Sequence, residues 1–199
     1  MSLNISRRTS LGILASIATG CASLPRENIG HGVLEGRVLV EWDREDEFIY
    51  RIRDNNPLRF KPSFMTEFIV PHEMYTDGGS VPRVFWSIPG LSPWGLGPAY
   101  IIHDWLFYVH RCNLPAPEHE INITFDQSAI ILAEVGLALI EKGLIKHDLL
   151  DEIVYGVGTR YARSLWNRPG DSDVCKPAPA ALRTRAERQA STVVDFTIP

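Results

Sequence analysis

The sequence predicts an α+β fold, a small antiparallel sheet followed by about three packed helices. Three observations carry this: short β-rich runs broken by prolines between Val33 and Val70, a helical pattern that takes over after Pro82, and capping residues bracketing the later apolar runs. The 199 residues carry 20 Lys+Arg against 24 Asp+Glu and are 45% hydrophobic, a size and composition suited to one domain. A net charge of -4 argues against a nucleic-acid partner, which calls for a basic field to displace phosphate counterions. Apolar residues spread along the chain argue against wholesale disorder. Every apolar run falls short of the roughly 20 residues that a membrane-spanning helix needs.

Residues 1–20 read as an export signal: Arg7 and Arg8, no acid, then an apolar stretch from Leu11 to Ala18. Ala18-Thr19-Gly20-Cys21 resembles a bacterial lipobox, which implies lipidation of Cys21. Ser6-Arg7-Arg8-Thr9-Ser10-Leu11 also resembles a twin-arginine signal, without its usual aromatic. Anchoring on the periplasmic or extracellular side of the cell envelope follows, and Ala22-Ser23, with no acid after the lipid site, favours the outer membrane. Two further cysteines, Cys112 and Cys175, are an even pair in an oxidising compartment; a disulfide pinning the tail to the first helix and two unpaired thiols both remain open.

Residues 21–32 read as a tether and 33–170 as the domain. Val33 to Trp42 and Glu47 to Arg53 flank the charged turn Asp43-Arg44-Glu45-Asp46 as a hairpin. Leu58 to Lys61 and Thr66 to Val70 are further short strands, marked off by Pro57, Pro62 and Pro71. A first helix runs from Pro98, a good first-turn residue, to Arg111. Thr124 and Gln127 have capping-box spacing and open a second helix, apolar nearly all round, which Gly143 stops. A third is expected from Asp148 to Trp166, ended by Pro169-Gly170. Residues 171–199, rich in proline, alanine and charge, read as a loosely ordered tail.

No Gly-x-Ser-x-Gly, His-Glu-x-x-His, Walker loop or Cys-x-x-Cys is present. What remains is a constellation: Thr76-Asp77-Gly78-Gly79-Ser80-Val81-Pro82-Arg83, then Ile102-His103-Asp104-Trp105-Leu106-Phe107-Tyr108, then Asp126. At about 100° per residue, His103, Phe107 and His110 share one helix face, with Asp104 about 100° round from it. Asp126 falls on a stripe with Ile130, Ala133 and Leu137 that is expected to face inward and meet His103 across an antiparallel helix pair. A carboxylate on one imidazole nitrogen fixes the tautomer and lets the other take a proton from water. Asp104, Asp77 and the Gly78-Gly79 backbone would supply oxygens to calcium. Each residue also has a bland role. His103 suits a satisfied core histidine, Asp126 a helix N-terminus, Asp77-Gly78-Gly79 a plain turn, and Asp104 a partner for Arg83 or Arg111. Trp86, Trp94, Trp105 and Tyr100 suit core packing, or a lipid-facing rim. His72 and His119 are expected to face solvent.

The Thr-Asp-Gly-Gly-Ser-Val-Pro-Arg loop, Phe85-Trp86, the Ile-His-Asp-Trp-Leu-Phe helix and Asp126 resemble a bacterial and phage family of unknown function, DUF 1353, across Phe60 to Trp166. The His-Asp pair, with Asp126 following 23 residues after His103, also resembles secreted bacterial phospholipase A2. That resemblance implies His103 as general base, Asp126 as the acid that orients it, Asp104 as a calcium ligand, and Asp77 with Gly79 as the calcium loop, with phospholipid as substrate. Phe107 stands where those enzymes have tyrosine, and the Asp77 loop departs from their calcium-loop sequence. The expected function is thus a membrane-anchored envelope lipoprotein with a calcium-assisted ester hydrolase site. Its alternative is a non-catalytic envelope or phage-derived module in which His103, Asp104 and Asp126 form a buried polar network. Zinc in place of calcium is a third possibility.

Overall fold

The computed structural model describes residues 29–44, 47–76, 96–145, 160–179 and 191–199. The signal and Cys21, Asp77 and Gly79, Arg83, Trp86 and Trp94, and the expected helix start at Asp148 lie outside the described residues. The architecture is α+β. Ten elements follow in order: β1 (Val33–Glu35), β2 (Arg37–Arg44), β3 (Glu47–Arg51), β4 (Arg59–Lys61), β5 (Met74–Thr76), α1 (Gly97–Cys112), α2 (Glu118–Ile121), α3 (Phe125–Glu141), α4 (Arg160–Trp166) and β6 (Thr192–Thr197).

The strands form two antiparallel sheets, one of β1 and β4 and one in the order β5-β3-β2-β6. The expected hairpin is β2–β3, in which Val40 pairs with Tyr50 and Trp42 with Phe48. Gly36 joins β1 to β2 at φ 103°, where a side chain would also strike the Pro57 carbonyl, so both backbone and space require glycine. The expected strand over Thr66 to Val70 reduces to one bridge, Ile69 with Phe60, because Pro62 and Pro71 leave little room for a ladder.

The reading of residues 171–199 as a loose tail is corrected twice. Cys175 forms a disulfide with Cys112 at the end of α1, and Gly170 N–H donates to the Arg111 carbonyl at 3.0 Å beside it. Beyond that, Thr192–Thr197 pairs with β2 as the edge strand β6, and Asp195 receives Arg37 Nε and Nη2 at 2.8 and 3.0 Å. Half-burial of Val194 and Phe196 against the core, alternating with exposed Val193 and Asp195, is the period-two pattern that makes this segment a strand.

α1 and α3 pack together over a core that includes Ile101, Ile102, Trp105, Leu106, Leu132 and Val135. Pro98 lies in the first turn of α1, and α3 opens on the expected reciprocal capping box of Thr124 and Gln127. Gly143, at φ 69°, follows the end of α3 in the left-handed conformation that terminates helices. Among the described residues no helix is long and apolar enough to cross a membrane.

Candidate functional site

Tyr100, His103, Asp104 and Phe107 fall at helical spacings of three and four in α1, so they share one side of it. His103 is 9% exposed and lies against the Phe107 ring, centroids 4.7 Å apart. Burial removes the water that would stabilise an imidazolium and pulls its pKa from 6.5 down to about 4. The imidazole is therefore uncharged at neutral pH.

Its Nε2 is buried without a hydrogen-bond partner, and so is the hydroxyl of Tyr100 one turn earlier. Burial, with a smaller contribution from the Asp104 charge, raises the Tyr100 phenol to about 12 and keeps its proton in place. An unmade buried hydrogen bond costs about 1–3 kcal/mol, so two within one turn are a sizeable loss for a fold of ordinary stability. Asp104 receives a hydrogen bond from the Thr76 hydroxyl at 2.7 Å, tying the end of β5 to α1. Thr76 immediately precedes Asp77 in the chain. Arg111, one expected partner of Asp104, donates from Nε to the Arg168 carbonyl at 2.9 Å.

The expected contact between His103 and Asp126 is not made. The Asp126 side chain is 73% exposed and pairs with Arg163 of α4, whose guanidinium lies 4.3 Å from the Phe125 ring centroid. The inward stripe of α3 runs through Phe125, Ser128, Leu132, Val135 and Leu139, one position round from the stripe that holds Asp126. The His103–Asp104–Asp126 network is likewise incomplete, since Asp126 faces solvent. His103 is positioned instead by an aromatic column: Phe107 meets Trp166 of α4 edge-on at 4.8 Å, and Trp166 stacks on His110 at 4.3 Å.

The described residues do not make a calcium site on their own. Asp104 and Thr76 bring two oxygen-bearing groups, where calcium takes six to eight oxygens, and among the described residues no group of three His, Cys, Asp or Glu converges.

Among the described residues three glutamates are buried, which the sequence alone does not reveal. Glu120, on the short α2, accepts Trp105 Nε1 at 2.7 Å and Val70 N–H at 2.9 Å, while His72 lies against the Trp105 ring at 4.6 Å. His119, expected to face solvent, is half-buried beside the Phe68 carbonyl at 3.1 Å. Glu134 of α3 accepts the Ser63 amide at 2.8 Å and the Ser63 hydroxyl, and Gly30 passes so close that a Cβ would overlap Ser63. Glu41 receives buried Arg51 Nε at 3.2 Å, and Arg51 also reaches Glu73 and the Pro179 carbonyl. These networks satisfy their members and hold strands, loops and tail together; Tyr100 and His103 stand apart from them.

No curated protein and no solved structure matches the chain. Residues 53–136, which include Tyr100, His103, Asp104 and Asp126, match the profile of a family described as "Protein of unknown function (DUF1353)".

Proposed function

We propose that the protein is an envelope-tethered ester hydrolase in which His103 is the general base and a phospholipid is the substrate. The buried, uncharged and unpartnered Nε2 of His103 carries the reading. An imidazole accepts a proton from water only when it is uncharged, and this one is so throughout the neutral range. A base with a pKa near 4 binds a proton weakly, so its contribution belongs at the low end of the roughly 10²–10⁴-fold range for general-base catalysis. Ring orientation comes from Phe107 and Trp166, in place of a carboxylate. The Cys112–Cys175 disulfide supports the envelope location, because such bonds persist mainly in oxidising compartments, and it accords with lipidation at Cys21 on the outer membrane. Calcium belongs to the proposal through Asp77 and Gly79, which would add oxygens to Asp104; the role of His103 is derived without it.

The test is fatty-acid release from phosphatidylcholine vesicles, measured with added calcium and with a chelator. His103→Ala is expected to lose about 100-fold or more in rate while its near-ultraviolet circular dichroism stays native. Undiminished release by that variant would eliminate His103 as base. Asp126→Asn is expected to remain close to wild type, since its carboxylate serves Arg163. Release that survives the chelator removes calcium from the proposal and leaves the histidine in it.

A further inference from the structure

We propose that Tyr100 is a second catalytic residue of this site, donating a hydrogen bond to the carbonyl oxygen of an ester while His103 takes the proton of the attacking water. The inference rests on the hydrolase reading and specifies its substrate chemistry. Among the described residues the buried side-chain polar atoms without a partner are two, the Tyr100 hydroxyl and His103 Nε2. They lie three residues apart on one helix, which puts their Cβ atoms roughly 5–6 Å apart on one face. Buried Glu120, Glu134 and Tyr50 each have partners in the same fold, so unmet bonding capacity is not a general feature of this core.

The two groups select a ligand by their hydrogen-bonding chemistry. The phenol offers a proton to an acceptor, and the imidazole Nε2 offers a lone pair to a donor. A hydroxyl donor and a ring-nitrogen acceptor on one helix face suit a carbonyl oxygen and a water. In the step, the water oxygen bonds to the carbonyl carbon, its proton passes to His103 Nε2, and the carbonyl π pair moves onto the oxygen held by Tyr100. When the intermediate collapses, that pair re-forms the carbonyl and the bond to the alkoxy oxygen breaks. The alkoxy oxygen takes the proton back from His103, so ester and water become acid and alcohol.

The experiment is steady-state hydrolysis of para-nitrophenyl butyrate by the full chain as wild type, Tyr100→Phe and His103→Ala, with thermal melts alongside. Tyr100→Phe is expected to lower kcat about 10²–10³-fold, with KM within about twofold of wild type. It should melt no lower than wild type, because it removes an unpaired hydroxyl and breaks no bond. A kcat at half of wild type or more, with His103→Ala inactive, overturns the role of Tyr100 and leaves His103 as base. A lower melting temperature for Tyr100→Phe shows that the hydroxyl has a structural partner and overturns it as well. No turnover by the wild type overturns both roles.

Discussion

Desolvation decides what His103 can do. Its pKa falls from 6.5 in the unfolded chain to about 4 in the fold, so between those values the unfolded chain binds a proton that the native protein refuses. Stability contributed by the neutral ring is complete above pH 6.5 and is lost as the pH falls towards 4. At 1.36 kcal/mol per pKa unit the loss is on the order of 3 kcal/mol. Urea midpoints at pH 7 and pH 4.5 should show this fall in the wild type and a much smaller one in His103→Gln; equal falls would place the titration elsewhere. The sequence showed the His-Asp pair but not the state of its ring. Tyr100, in an apolar helix, reads as core packing, and only the folded surroundings reveal that its hydroxyl has no partner. The outward position of Asp126 is not legible in the sequence, because α3 is apolar nearly all round and neighbouring stripes look alike.

Among the elements, the disulfide ties the segment after α4 to the end of α1. It joins residues 63 apart, between the end of α1 and Cys175, and Tyr108 donates its hydroxyl to the Lys176 carbonyl nearby at 2.6 Å. The same region carries Trp166 against Phe107, and Phe107 against His103, so loosening the tail should reach the site. A double Cys112→Ser, Cys175→Ser variant is expected to lose about 2–4 kcal/mol in denaturant unfolding, together with part of the near-ultraviolet aromatic signal. An unchanged midpoint would show that the hydrogen bonds alone hold the tail. Capping residues made α1 and α3 legible, with Pro98, Thr124, Gln127 and Gly143 all serving as read. β6 is hidden in the sequence because its six residues lie in a segment whose overall composition is rich in proline, alanine and charge.

At the scale of the molecule, the two ends of the described chain are tied to its middle. Gly30 passes against Ser63 and Glu134, and β6 pairs with β2 and completes the larger sheet. The class was legible because strand and helix periods occupy separate halves of the sequence; the closing strand was not, because its partner lies more than 150 residues away. Within this frame, the Tyr100 hydroxyl and His103 Nε2, on one helix, are the buried side-chain polar atoms without a partner among the described residues. Ester hydrolysis at this helix face is proposed to run through His103. Its most direct test is the pH dependence of kcat/KM for para-nitrophenyl butyrate, which reports the free enzyme's essential base. Activity is expected to hold through pH 5 and to fall with a midpoint near pH 4. A midpoint near the ordinary histidine value, or a rate and profile unchanged in His103→Ala, would contradict it.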